Sequence, residues 1–237
     1  MRIKAMGAIV LLVGALARTA WAADMAHEHG DQTFHKFVAE VDMGQDRDDV
    51  HASWDVDGWV GGDVNKLHIK TEGEISDAVT QSAEFWALYS RNVSEFWDVQ
   101  TGVRQDTQPE STSYLVAGVE GLAPYFFETE AHLFLSDEGD LSVRIHQEND
   151  LLITQQLVLQ PYAEVNLFAQ DVPDQDIGKG LSSGEIGVQL RYEIIRKFAP
   201  YVDVKYERAF GETAFIARRH GEARDDMIMA AGVRLMF

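Results

Sequence analysis

Apolar and polar side chains alternate with a period of two through short segments that cover most of this chain. In residues 185–194 the even positions from Ile186 to Ile194 are apolar or aromatic, whereas the odd positions carry glycine or polar side chains. Residues 125–135 and 141–148 show the same alternation, although Phe126 and Phe134 interrupt the polar positions of the former. Segments of about ten residues with this alternation are typical of transmembrane strands, which have one face in lipid and one in a watery lumen.

Applied from residue 36 onward, the same criterion predicts twelve strands. We expect them near residues 36–44, 51–60, 66–75, 82–91, 95–105, 112–121, 125–135, 140–150, 154–168, 184–196, 199–209 and 226–237. An even number of strands is usual in bacterial barrels. The sequence therefore predicts an all-β fold, a transmembrane antiparallel up-and-down β-barrel over residues 36–237.

The predicted connections are short at one end of the strands and long at the other. Short turns fall at residues 61–65, 92–94, 122–124 and 197–199, and long polar loops at 171–183 and 211–225. Short turns of bacterial barrels lie in the periplasm. We expect an aromatic girdle beside them, formed by Tyr89, Phe96, Trp97, Tyr125, Phe126, Phe198, Tyr201 and Phe237. A soluble β-sandwich also alternates, but it does not account for the uneven connections and the aromatic clustering.

Both ends of the chain resemble targeting signals, one for export and the other for barrel assembly. Arg2 and Lys4 precede an apolar run at residues 5–16 and a small-residue motif that ends at Ala22, as in a secretory signal peptide. The apolar run is shorter than the roughly 20 residues that a membrane-spanning helix needs. We therefore expect residues 1–22 to be a cleaved signal peptide. The alternating segment 232–237, with its terminal phenylalanine, resembles the assembly signature of outer-membrane barrels.

Charge and cysteine content exclude several functions. The formal net charge of −19 makes the chain a poor ligand for nucleic acid, and it is compatible with cations as partners or simply with solvated loops. There are no cysteines, so disulfides and thiolate metal sites are excluded. Imidazole, thioether and carboxylate groups are the metal-binding side chains that the chain offers.

Residues 23–35, between the signal peptide and the first predicted strand, carry one group of candidate metal ligands. They are Met25, His27, His29 and His35. Imidazole together with thioether suits copper, and thioether favours the cuprous ion. We expect this segment to be short, disordered and periplasmic, and either a weak copper site or a polar tail.

A second group lies on the polar face of the hairpin that turns at residues 137–139. Symmetric pairing about this turn would place Glu130 opposite His146 and His132 opposite Arg144, with Glu128 facing Glu148. Carboxylates beside imidazole can share a metal ion, or they can form a structural charge network with Arg144. We keep Glu130, His132, His146 and Glu148 as candidate metal ligands, together with His68, for which the same two interpretations stand.

We do not expect enzymatic activity. Ser142 and His146 share the lumen face of one predicted strand, but the sequence has no nucleophile elbow and no spacing that defines a catalytic triad. The enzyme alternative is a lipid-active barrel, and a phospholipase or acyl-transfer assay would reveal it.

Ten segments distributed along residues 58–234 resemble the copper resistance protein B family. They are residues 58–67, 70–74, 87–91, 96–104, 121–125, 133–136, 139–142, 191–194, 198–202 and 231–234. Members of this family are outer-membrane proteins of copper-resistance operons, and many have an amino-terminal segment rich in Met and His. In this chain that segment is reduced to Met25, His27, His29 and His35, without extended Met repeats.

With this resemblance, we expect an outer-membrane protein of copper resistance that binds copper ions weakly and conducts or exports them across the outer membrane. Outer-membrane lipid, copper ions and periplasmic copper-handling proteins are its expected partners, and nucleic acid is not. The alternative is a small general porin, or a structural barrel whose charged lumen is plugged.

Overall fold

The fold is a closed antiparallel barrel of twelve strands, as predicted. The computed structural model describes residues 33–45, 50–76, 79–221 and 223–237. The barrel strands are β1 (Phe34–Gln45), β2 (Val50–Gly61), β3 (Asn65–Ser76), β4 (Val79–Ser94), β5 (Trp97–Gln108), β6 (Thr112–Ala123), β7 (Phe127–Ser136), β8 (Leu141–Glu148), β10 (Leu157–Phe168), β11 (Gly180–Tyr192), β12 (Phe198–Ala209) and β13 (Asp225–Met236). A two-residue strand, β9 (Leu151–Leu152), pairs with the start of β10.

Each barrel strand pairs with its neighbours in the chain, and β1 pairs with β13 to close the sheet. Val38 lies opposite Met236 at this closure, and the Phe237 backbone N–H donates a 2.9 Å hydrogen bond to the Phe37 carbonyl. Closure satisfies the backbone groups that an open sheet edge would leave unpaired, which a lipid-embedded sheet requires.

The two faces of the sheet differ as the alternation predicts. On β11, Val188 is 42% exposed on the outer face, whereas Gln189 beside it is 7% exposed inside the barrel. Ile186 and Leu190 share the outer face with Val188, and Arg191 shares the inner face with Gln189. An outer surface covered with exposed aliphatic side chains is stable against lipid rather than water.

The two longest connections lie at the same end of the barrel, as predicted, beside several short turns, and the other end carries only shorter connections. The turns at residues 62–64, 95–96, 124–126 and 193–197 are short, and we call this the short-turn end. Tyr125 and Phe126 are highly exposed at the tip of their turn. The girdle prediction is wrong for Tyr201, which is only 5% exposed because its ring turns inward and its hydroxyl donates a hydrogen bond to Asp42.

The long loops lie at the opposite end, and they contain structure that the sequence pattern did not reveal. Residues 169–179 include a short 3-10 helix (Pro173–Gln175), and α1 (Gly211–His220) occupies the other loop. The two loops meet where the Gly178 N–H donates a 3.0 Å hydrogen bond to Thr213 Oγ1. Among the described residues, no helix is both long and apolar enough to cross a membrane.

Candidate functional site in the lumen

The β7–β8 hairpin has the register that the sequence predicts. Glu130 lies opposite His146, His132 opposite Arg144, and Glu128 opposite Glu148. The hairpin closes at residues 137–140, where the Ser136 N–H donates to the Asp140 carbonyl. This register gives Glu130, His132, His146 and Glu148 the same strand face, which is the lumen face.

His146 lies between two carboxylates on the water-accessible surface of the lumen. Its Nε2 is 3.5 Å from a Glu148 oxygen, and its Nδ1 is 3.5 Å from a Glu164 oxygen on β10. The imidazole is stacked on Tyr162, with 6.2 Å between the ring centroids, and its side chain is 29% exposed. An accessible imidazole flanked by carboxylates attracts cations and offers a nitrogen ligand to them.

His68 and His132 are in a different environment, because both are almost completely buried. His132 Nε2 donates a 2.7 Å hydrogen bond to the side-chain oxygen Oε1 of Gln100, and the Gln100 side-chain nitrogen Nε2 lies 3.4 Å from His68 Nδ1. The same amide donates to Glu120 at 2.5 Å. The Gln100 side chain thus links the two histidines, and its contacts occupy one ring nitrogen of each.

Two charged side chains reach across the lumen. Arg144 on β8 contacts Glu72 on β3, with 2.5 Å between Nη1 and Oε1, and it also contacts Glu84 on β4. Lys70 on β3 contacts Glu130 on β7 at 2.6 Å. The strands joined in this way are five and four positions apart around the barrel. We refer to Arg144, Glu72, Lys70 and Glu130 as the cross-lumen bridge.

An apolar cluster fills the space between this bridge and the wall formed by β4–β7. Its members are Trp86, Leu88, Tyr114, Val116 and Phe134. The Arg104 guanidinium lies over the rings of Trp86, Tyr114 and Phe134 at 4.8–5.4 Å, which favours its charge through cation–π attraction. The alternation of the strands does not predict this cluster, although Phe134, an aromatic residue at a polar position of its strand, indicates an apolar contact inside the barrel.

On the opposite wall, two tyrosines lie flat against the strands. Tyr162 packs on Gly187 and donates a 2.9 Å hydrogen bond to Asp203, and Tyr201 packs on Gly232 and donates to Asp42 at 2.8 Å. A Cβ atom at either glycine would collide with the tyrosine ring. Glycine at these positions therefore keeps both rings close to the wall.

Of the amino-terminal candidate ligands, His35 is among the residues that the structure describes. Met25, His27 and His29 lie outside the described residues. His35 is placed in β1, which begins at Phe34, two residues before the predicted start. It is exposed, and its parity in β1 is opposite to that of Glu40 and Asp42, so it belongs to the outer face near the short-turn end. Across the described part of the chain, no three His, Asp or Glu side chains are arranged as a metal-ligand set.

The closed barrel, its apolar outer face and its polar lumen define the class of protein, which is an outer-membrane β-barrel. Its fold resembles two solved porins, NanC (TM-score 0.58, 12% identity, covering 83% of this chain and 98% of the porin) and KdgM (TM-score 0.53, 10% identity, covering 84% and 99%).

Residues 33–237 match the family model described as copper resistance protein B precursor (CopB). The chain is 41% identical to copper resistance protein B of Escherichia coli over 78% of its own length and 63% of the relative's. It is 38% identical to a copper resistance protein B homolog of Pseudomonas syringae pv. tomato over 92% and 75% of the two lengths. The chain therefore belongs to the copper resistance protein B family, a result that confirms the resemblance seen in its sequence.

Proposed function

We propose that this protein binds copper ions weakly and guides them across the outer membrane through its lumen. The observation that carries the proposal is His146, whose two ring nitrogens both face carboxylates on a water-accessible surface. Imidazole and carboxylate are suitable ligands for Cu(II). Membership of the copper resistance protein B family supports copper as the ion.

The charge balance of the lumen favours cations. Five cationic side chains of the lumen each lie within ion-pair distance of at least two carboxylates, namely Lys70, Arg104, Arg144, Arg191 and Lys205, whereas Lys66 and Arg234 each contact one. Carboxylates in excess of fixed cations give a narrow lumen a negative potential, which raises the local concentration of cations. Conduction also requires that each binding site release its ion, so a pathway is best built from weak sites.

The candidate ligands divide into two groups under this proposal. His146 and Glu148 act on copper directly, because they are accessible and can change partners. His68 and His132 hold the β3–β7 wall together through Gln100, because both are buried and already hydrogen-bonded. Glu130 belongs with the second group, because its carboxylate forms an ion pair with Lys70, with 2.6 Å between Nζ and Oε2.

We assign the amino-terminal ligands Met25, His27, His29 and His35 a role before the barrel. In that role they capture copper at the periplasmic side, where the first strand begins beside His35, and receive it from periplasmic copper-handling proteins. The chain spans 63% of the length of its Escherichia coli relative. The periplasmic copper-handling partners are therefore proposed for this chain and not taken from that relative.

Copper flux into liposomes containing the purified protein tests the proposal. His146→Gln removes the imidazole nitrogens and keeps a polar side chain, so copper flux should fall severalfold while potassium flux stays within about twofold of wild type. His220→Gln is the matched control, because His220 is exposed on α1 outside the barrel wall. Unchanged copper flux in His146→Gln would contradict the role of this residue.

The second candidate is a small general porin, which the likeness to NanC and KdgM favours. A general porin would pass small neutral sugars in a liposome-swelling assay at rates unrelated to copper. It would also fail to restore copper tolerance and periplasmic copper content to cells that lack the gene.

A further inference from the structure

A cluster of buried apolar side chains occupies the inner face of one half of the barrel, along β4–β7. Along β4–β7 the inward positions include Leu88, Val116 and Phe134, each at most 2% exposed, and these side chains touch one another. Such a cluster excludes water, because apolar side chains packed at interior density leave no room for it.

The cross-lumen bridge closes this apolar half on its inner side. Arg144 contacts Glu72 at 2.5 Å and Glu84 at 3.1 Å, and Lys70 contacts Glu130 at 2.6 Å. Glu72 is nevertheless 40% exposed, as is Asp57 beside Lys70. The bridge therefore has one side against the apolar cluster and one side in water.

Part of the wall of the other half carries small side chains, although the inward residues Ile228 on β13 and Val158 on β10 are buried there. Inward positions on β13 and β1 carry the small residues Ala230, Gly232 and Gly44, and Tyr201 lies flat over Gly232. Asp55 on β2 projects inward and is exposed to water. This half also contains Glu185 and Lys205, both partly accessible.

From these contrasts we propose that the lumen is divided lengthwise, and that ions cross only along the half lined by β8, β10–β13, β1 and β2. The half bounded by β4–β7 and the cross-lumen bridge is a dry, fixed filling. The conducting path is thus off-centre, with the carboxylates of Asp55, Asp57, Glu72 and Glu185 along it. This proposal concerns any permeating cation and does not depend on copper being the natural one.

Single cysteines test the division directly, because the chain has no native cysteine. Val116→Cys lies in the dry half and Ala230→Cys in the conducting half, at similar distances from the long-loop ends of β6 and β13. In liposomes, a charged methanethiosulfonate reagent should modify Ala230→Cys at least about tenfold faster, because Val116 is reached only by local opening. Modification of Ala230→Cys should also lower single-channel conductance, and modification of Val116→Cys should not.

A second pair of cysteine variants controls for a folding defect in the first pair. Ser53→Cys on β2 should react like Ala230→Cys, and Ser90→Cys on β4, which is 1% exposed in the wild type, should resist. Each variant is first checked for heat-modifiable migration. In the conducting half, a cationic reagent should modify the cysteine at least about tenfold faster than an anionic one. Each modification rate is first divided by the rate at which the same reagent reacts with a free thiol in solution. Equal rates in the two halves, or no reaction at either, would overturn the proposal.

Discussion

Placing an arginine on either side of the same strand tests the membrane-facing assignment most directly. Val188 and Gln189 are adjacent in β11, but Val188 is exposed on the outer face and Gln189 is buried in the lumen. Val188→Arg places a guanidinium in hydrocarbon. Gln189→Arg places the same group beside Glu40, which Gln189 already contacts at 2.9 Å, and opposite Asp203.

The depth of Val188 sets the expected cost. It lies two residues from Ile186, the midpoint of β11, which corresponds to roughly 5 Å along the membrane normal for a strand rising about 3.4 Å per residue at a tilt near 40°. Arginine costs about 2–4 kcal/mol at the midplane and about 0–1 near the interface of a band about 25 Å tall. Interpolation gives about 1–3 kcal/mol for Val188→Arg.

Equilibrium unfolding by guanidinium in phospholipid vesicles, followed by tryptophan fluorescence, measures this difference. Gln189→Arg should lower the free energy of unfolding by less than about 1 kcal/mol, because the lost amide hydrogen bond is replaced by an ion pair with Glu40. Equal losses in the two variants, or a larger loss in Gln189→Arg, would refute the assignment of β11 faces to lipid and lumen.

Four further outcomes are expected. Gly187→Val should displace Tyr162 from the wall and destabilise the barrel by about 1–3 kcal/mol in the same unfolding assay. Deletion of residues 24–33 should lower copper stoichiometry by mass spectrometry while leaving heat-modifiable folding intact; unchanged stoichiometry would identify the segment as a tail. Copper retention, measured by equilibrium dialysis, should weaken as the pH falls towards about 6, because protons compete with copper for imidazole nitrogen, and His146→Gln should reduce this dependence. The mature protein recovered from outer membranes should begin at Ala23, and detection of residues 5–16 in it would exclude cleavage after Ala22.

Much of the barrel could be predicted because local chemistry determines it. Alternation fixes which side chains share a face, and turn residues fix where strands end, so even the β7–β8 register followed from the turn at residues 137–139. The largest difference is at β11, which spans Gly180–Tyr192 instead of the predicted residues 184–196. β10 begins at Leu157 rather than residue 154, because Thr154 Oγ1 accepts backbone hydrogen bonds from Gln156 and Leu157 and makes a turn there.

Contacts across the lumen could not be predicted in this way. The hairpin register makes His132 and Arg144 cross-strand neighbours, yet His132 hydrogen-bonds to Gln100 on β5 and Arg144 to Glu72 on β3. Such partners depend on how the strands tilt and stagger around the whole barrel, and alternation carries no information about that. For the same reason, the alternation pattern does not predict the apolar cluster.

If the lumen is divided as proposed, its excess of carboxylates would link stability to transport. Removing Arg144 or Lys70 would leave carboxylates facing one another without a fixed cation, which is costly where water is scarce. On the conducting side, the exposed oxygens of Glu72, Asp57 and Asp55 remain only partly balanced by fixed charge. Mobile cations can supply the balance there, because they lower the repulsion while they occupy the path. In this proposal the fixed cations hold the filled half in place, and the carboxylate charge that they leave unbalanced would attract the ions that cross the other half.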